Sequence, residues 1–333
     1  MEVGVLLRRL AMAGMGVAAV TLALAVACWA RWAGVWGPPL APQGALAAPA
    51  DTDARTAYPI VLAHGMMGFD HLGALPYWPG IVEALQAHGA SVYVTRMAAF
   101  QSSEVRGEQL LAQVEAVVAR SHAGKVNLIG HSQGSHAIRY VASRRPDLVA
   151  SVTAVAGPVT GSEFADWMDG QVQRDTWAAG AILALGRGTG RFVNWASGAD
   201  FQQDVGAALA SLDSRGTADF NRRFPAGVPT RPCGQGAAEV QGVRYFSWGG
   251  VGAFHHALNP PDYVMWLTAQ TFRREASDGL VGRCASHLGT VIRDDLPLNH
   301  FQVVNQLPGL HADAVDPVGL YLDHARRLRQ LGL

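Results

Sequence analysis

The sequence predicts an α/β fold: a mostly parallel central sheet with helices on both faces. Three observations carry that expectation. Short aliphatic, β-branched runs alternate with segments whose apolar residues recur at helical spacing. The strand-like runs are almost continuously apolar, as strands covered on both faces are. One of them passes into a helix through a five-residue turn with two glycines, Gly130 and Gly134. The chain has 333 residues, 49% of them apolar, long enough for one large domain or two smaller ones. Its 26 basic and 26 acidic side chains cancel to a formal charge of zero. There is thus no electrostatic reason to expect a nucleic-acid partner.

Residues 1–50 differ from the rest. Arg8 and Arg9 precede an uncharged apolar run from Leu10 to Ala30, followed by the small-residue stretch Ala41–Ala50. Basic start, apolar centre and A-x-A endings at Ala45–Ala47 and Ala48–Ala50 read as a secretory signal and predict a secreted, extracellular protein. The run is also long enough to span a bilayer, so periplasmic retention or an anchor through residues 10–30 is the alternative. Cys28 lacks the usual lipobox leucine, because Ala25 stands in its place. Residues 51–333 remain as the folded unit. In an exported chain Cys233 and Cys284 form an even pair, readable as one bridge or as two buried thiols. A bridge closing a loop of that size contributes roughly 4 kcal/mol in the chain-entropy model.

The elements follow in order. "YPIVLAHG" (Tyr58–Gly65) is an apolar strand entering a glycine turn, and "ASVYVT" (Ala90–Thr95) is a second strand. Leu110, Leu111, Val114, Val117 and Val118 mark a helix, with Ser103 as its N-cap and Glu104 in its first turn. "VNLIG" is a strand, "SHAIRYVASR" a helix and "VASVTAVAG" (Val149–Gly157) a strand. From Phe164 the pattern changes. Trp177–Gly198 is apolar and broken by glycines, and predicts one or two helices inserted into the sheet topology, within an insertion of about 164–224. Pro225–Gly236 reads as loop. "YVMWLTAQTF" is helical in pattern, and so is "PVGLYLDHARRLRQL" near the C-terminus.

Gly130-His131-Ser132-Gln133-Gly134 is a nucleophile elbow, G-x-S-x-G, in the strand-to-helix context that gives the motif meaning. So sharp a reversal strains its central residue, and the glycines remove side chains that would collide. The serine is raised above the sheet edge beside a helix N-terminus, where N–H groups favour developing negative charge. A serine needs a base, and in this architecture the acid and then the histidine follow it in the chain. The histidine candidates are His255, His256, His287, His300, His311 and His324. His300 lies among loop formers after an apolar segment ending near Ile292. His324 falls in a helical pattern and reads as surface, and His287 as a packed neighbour of the cysteine pair. For the acid, Asp278 on the tight turn "SDGLVG" leads, with Asp262, Asp294 and Asp295 as rivals. Asp294 and Asp295 suit a solvated turn.

The motifs "YPIVLAHGMMGFD", "SSEVRGEQLL", "KVNLIGHSQG", "FNRRFPAGVPT", "DGLVG" with "CASHLG", and "NHFQVVNQ" occur in that order across nearly the whole mature chain. On these residues the chain resembles the bacterial true lipases of the Pseudomonas and Burkholderia type, secreted triacylglycerol hydrolases of the α/β-hydrolase fold. The resemblance implies Ser132 as nucleophile, Asp278 as acid and His300 as base. It implies the backbone N–H groups of Met66 and Gln133 as the oxyanion hole, and a disulfide between Cys233 and Cys284. Gln133 replaces a histidine found in some relatives, which matters little if only its backbone donates. It also implies a lid at Trp177–Gly198 and a dedicated membrane foldase as partner. The chemistry needs no cofactor. The family's structural calcium, however, would fall on Asn259, Gln302 and the carbonyls of Gln306 and Leu310, so both expected carboxylates are neutral amides. Calcium affinity follows ligand charge, so a weakened or lost site is expected unless Asp262 or Asp295 moves in. The same triad would also serve a short-chain esterase, a polyester depolymerase or an acyltransferase. A non-catalytic lipid-binding relative is the reading from another class.

Overall fold

The computed structural model describes residues 53–174 and 177–333. The leader read over residues 1–50 lies outside the described residues. Among the described residues, no helix is long and apolar enough to cross a membrane.

The strands are β1 (Ile60–Ala63), β2 (His71–Leu72), β3 (Leu75–Pro76), β4 (Val92–Val94), β5 (Val126–His131), β6 (Val149–Val155), β7 (Glu239–Val240), β8 (Val243–Gly250) and β9 (Thr290–Leu296). The main sheet runs β4-β1-β5-β6-β8, with β7 and β9 both pairing to β8. Every pairing in it is parallel except the short β7–β8 edge. Beta1 shows why its sequence is apolar without interruption. Side chains alternate across a strand, so Ile60 and Leu62 enter one apolar cluster while Val61 and Ala63 enter the other.

Helices cover both faces: α1 (Ile81–Ala87), α2 (Ser103–Ser121), α3 (Gly134–Arg144), α4 (Glu163–Val172), α5 (Trp177–Ser197), α6 (Val205–Ala210), α7 (Ser214–Arg223), α8 (Pro260–Ala269) and α9 (Pro317–Gln330). Leu85 of α1 and Tyr321 and Ala325 of α9 pack on the Ile60 face. Leu110 and Val114 of α2 and Ala137 and Ile138 of α3 pack on the Val61 face. The run from α4 to α7 lies between β6 and β7, where the helical pattern replaces the strand pattern in the sequence.

Four local readings differ from the sequence expectation. The N-cap of α2 is Ser102, whose hydroxyl accepts the Val105 N–H at 3.3 Å; Ser103 is already helical and buried against His136. His324 is fully buried rather than exposed, because it lies on the inner face of α9 and bonds Thr153 Oγ1 at 2.8 Å. Asp294 and Asp295 lie on β9, not on a turn. Asp294 is held there by Arg283 at 2.9 Å and by His287 Nε2 at 3.1 Å. Beta8 carries no alternation to announce it and ends in Gly249-Gly250, which weakens a strand signal. Those glycines serve close approach: a Cβ on Gly250 would lie 2.0 Å from the Leu298 carbonyl oxygen.

Candidate active site

From Val126 to Ala142, through β5, the turn and most of α3, every residue is buried except Ser132. Ser132 also takes the strained conformation, with φ of 54°. The glycines on either side serve proximity. A Cβ on Gly130 would come within 2.5 Å of the Gly134 carbonyl oxygen, and one on Gly134 within 2.3 Å of the Ala63 carbonyl oxygen. Ser132 N–H donates to the Val155 carbonyl at 3.0 Å, and its own carbonyl accepts from Ser135 N–H and Ser135 Oγ. The reversal is thus fixed at both ends, leaving the hydroxyl at the one opening in a closed unit.

Asp278 and His300 are brought together from either side of β9. His300 Nδ1 donates to Asp278 Oδ2 at 2.8 Å, and both side chains are buried. Asp278 Oδ1 accepts the N–H groups of Leu280 at 2.9 Å and Val281 at 2.7 Å, and the Asp278 carbonyl accepts His300 N–H at 3.0 Å. The carboxylate is therefore locked, and the imidazole proton on Nδ1 is committed to it. That leaves Nε2 as the unprotonated, basic nitrogen. The His300 ring lies beside the elbow, 4.7 Å between centroids from the ring of His131. Ser132 Oγ makes no hydrogen bond among the described residues. Hydrogen bonds between a nucleophile and its base commonly tighten only in the complex with substrate.

The turn after β1 abuts the serine. A Cβ on Gly65 would lie 2.7 Å from Ser132 Cβ and 3.2 Å from its Oγ, so only glycine allows this approach. Met66 and Gln133 follow Gly65 and Ser132, and neither backbone N–H has a hydrogen-bond acceptor among the described residues. The Gln133 side chain turns away, donating to the Gln101 carbonyl at 2.9 Å and Ser211 Oγ at 3.1 Å.

Three supporting residues are not singled out by sequence reasoning. Arg106 is fully buried, and its guanidinium holds the carbonyls of Ala98, His64 and Gly65. Burial brings its pKa down to about 10. The signal for it was an arginine four residues before Leu110, on the apolar stripe of α2. His64 Nε2 accepts Met97 N–H at 3.0 Å; burial and then the Arg106 charge lower its pKa to about 3, so it stays neutral. Tyr77 Oη accepts Gly65 N–H at 3.2 Å and lies 2.7 Å from His131 Nδ1. His131 Nε2 faces the His300 carbonyl at 3.0 Å, an acceptor only, so Nε2 carries the proton and Nδ1 accepts from Tyr77. Burial, then the neighbouring His300, holds His131 well below the usual histidine range. A directed chain of hydrogen bonds thus connects the Gly65 turn to the His300 loop.

Of the rival histidines, His287 bonds Gly234 and Asp294 near the disulfide, and His324 sits under α9. His255 and His256 give backbone N–H groups to Asp262, and His311 Nδ1 bonds the Ala312 carbonyl. Cys233 and Cys284 are bonded, with Cα atoms 4.5 Å apart, tying the loop before β7 to the segment just after the Asp278 turn. A surface hollow lined by Cys233, His287 and Asp294 touches none of the three residues of the candidate triad.

The positions expected for calcium ligands do not suit a cation. Asn259 Nδ2 donates to Asp262 Oδ1 at 2.7 Å and to the Leu310 carbonyl at 3.0 Å. Gln302 Nε2 donates to the same two oxygens, each at 3.1 Å. The Leu310 carbonyl and Asp262 Oδ1 are thereby taken by N–H donors, and amide nitrogens stand where oxygen ligands would be needed. Gln306 contributes a backbone N–H to the Phe301 carbonyl at 3.3 Å.

On the other side, α5 presents Trp177 and Trp195 to solvent, 86% and 78% exposed, while Val193 is buried in the apolar cluster against which Met66 packs. Gly186 and Gly190 admit Val205 and Gln203, whose side chains a Cβ would meet at 2.6 and 2.9 Å.

Comparison with known proteins places the chain in a family. Residues 58–302 match the family model described as the alpha/beta hydrolase fold. The triacylglycerol lipase of Vibrio cholerae serotype O1 is 45% identical over 316 residues, covering 94% of this chain and 98% of its own. That of Pseudomonas fragi is 40% identical over 292 residues, covering 85% of this chain and 100% of its own. Among solved structures, the Staphylococcus hyicus lipase aligns with a TM-score of 0.58 at 16% identity, over 86% of this chain and 99% of that one, a likeness of fold.

Proposed function

Because this chain belongs to the α/β-hydrolase family and, within it, to the bacterial triacylglycerol lipases, we propose that it hydrolyses triacylglycerol esters by acyl transfer through Ser132, His300 and Asp278. One observation carries the reading. Ser132 is the single opening in a buried, strained elbow, beside a buried His300–Asp278 pair whose hydrogen bond leaves Nε2 basic.

His300 Nε2 takes the proton as Ser132 Oγ attacks the ester carbonyl carbon. Asp278, fixed by the Leu280 and Val281 amides, orients the imidazole and stabilises its charged form. The uncommitted amides of Met66 and Gln133 hold the tetrahedral oxyanion, each contributing roughly 3–4 kcal/mol if comparable to other such donors. The imidazolium then protonates the departing alcohol. Water, deprotonated by Nε2, attacks the acyl carbon; the imidazolium returns that proton to Ser132 Oγ as it leaves, and the carboxylic acid is released. Alpha/beta hydrolases typically need no cofactor for this chemistry, and the amide substitutions at Asn259 and Gln302 support a protein that does not depend on calcium.

The glycine-broken α5 with two exposed tryptophans is the lid in this reading, its apolar outer residues meeting lipid at an interface. Residues 1–50 direct export, and maturation uses a membrane foldase; the leader pattern supports the first and resemblance alone the second. Purified protein assayed on tributyrin and triolein tests the substrate class. Hydrolysis of both is expected. Activity on short esters alone would replace the lipase reading with a short-chain esterase.

A further inference from the structure

Asp262 sits in the first turn of α8, fully buried, and no basic side chain pairs with it among the described residues. A carboxylate so placed is costly unless its oxygens are satisfied, and here five N–H groups from three segments do so. His255 and His256 donate from the backbone to Oδ2 at 2.7 and 2.8 Å. Asn259, Asn299 and Gln302 donate from their side-chain amides to Oδ1 at 2.7, 2.6 and 3.1 Å.

Two of these donors bracket His300, one residue before it and two after. They are also locked to each other: Asn299 Oδ1 accepts Gln302 N–H at 2.9 Å, and Gln302 Oε1 accepts Asn299 N–H at 3.1 Å. The same helix braces the other partner, because Gly279, next to Asp278, lies so close to Met265 that a Cβ would meet its backbone at 2.9 Å. Both members of the His300–Asp278 pair are thus referred to α8.

We infer that Asp262 is the positioning residue for the His300 loop, and that it holds this loop by a charge–amide hub with no divalent cation. The inference rests on reading Ser132 and His300 as the working pair. A cation at this point would face the hydrogens of Asn259 Nδ2 and Gln302 Nε2. Turning those amides over would break their bonds to Asp262 and Leu310. A carboxylate surrounded by amide donors and a cation surrounded by carboxylates are opposite solutions to one problem, fixing a loop beside the base.

Asp262→Asn keeps the shape but sets an NH2 group against donors. Assayed where circular dichroism shows the variant folded, it is expected to lose roughly 10–100-fold in kcat, as the loss of a group that orients a working side chain does, with KM little changed. Fluorophosphonate labelling of Ser132 should slow in parallel. Hydrogen exchange in residues 299–306 should accelerate, a readout independent of activity. For the native protein, EDTA and added CaCl2 should leave Tm unchanged, whereas the Asn259→Asp, Gln302→Asp double variant should become stabilised by calcium. A folded Asp262→Asn protein with native labelling rate and native exchange overturns the positioning role. A native protein whose Tm rises with calcium overturns the metal-free half. A native protein that never labels overturns the reading of Ser132 instead, and the exchange measurement still decides the hub.

Discussion

The elbow and helix α5 use glycine and burial in opposite ways. Between Val126 and Ala142 the chain is closed except at Ser132, and Gly130 and Gly134 are there because backbone atoms within 2.5 Å leave no room for a Cβ. Along α5, Gly186 and Gly190 pack against Val205 and Gln203, but Gly180 and Gly188 have nothing near them, and two tryptophans face solvent. In the first region both glycines are required by close packing; in the second only Gly186 and Gly190 are, and the open glycines lower the helix propensity. The proposed nucleophile thus sits on the closely packed region and the proposed lid on the open one.

The sharpest way to break this contrast is to disturb the rigid region by one carbon. Gly65→Ala puts a methyl 2.7 Å from Ser132 Cβ. It should cost roughly 10²-fold in kcat, the effect of displacing a reacting group by about 1 Å. Ester hydrolysis kinetics check this, and near-native activity would mean that the turn tolerates movement.

Acid should reach the rigid region next. His64, His136 and His324 have pKa values lowered to about 3, mainly by burial, against an ordinary 6.5, and burial holds His131 well below the ordinary value too. Unfolded, these rings take protons below 6.5; folded, they do not. Stability therefore rises with pH across the window from about 3 to 6.5 and is flat above it on their account. Thermal melts should show Tm falling steeply as pH drops below 6.5. His324→Leu should make that acid limb shallower by about one proton, while its Tm at neutral pH shows the packing cost separately.

The smallest effect belongs to α5. Trp177→Ser with Trp195→Ser should shift stability by roughly 0.5 kcal/mol or less, as exposed sites do, and leave soluble-ester hydrolysis unchanged. Activity on emulsified triolein should fall several-fold. Equal losses on both substrates would make α5 a structural helix instead of a lid.

Much of this was legible in the residues, for stated reasons. Beta1, β5 and β6 announce themselves because strands buried on both faces must be apolar throughout. The elbow does so because its glycines are sterically required. What stayed hidden depends on contacts between distant segments. His324 looks like a surface residue in a polar helix end, and only the packing of α9 against Thr153 buries it. Arg106 was visible as a charge on an apolar stripe, but its partners are carbonyls, which have no sequence signature. Asp262 was one of four acid candidates until folding gathered Asn259, Asn299 and Gln302 around it. Beta8 was masked by its terminal glycines, whose reason is the Ser286 side chain beside Gly249 and the Leu298 backbone beside Gly250.

The central claim, that Ser132 is a nucleophile activated by His300, is tested most directly by mass spectrometry after treatment with a fluorophosphonate. The account predicts a single adduct on the peptide containing Ser132, lost in Ser132→Ala and nearly lost in His300→Ala. An unmodified Ser132 in folded protein, or undiminished labelling of His300→Ala, would contradict it.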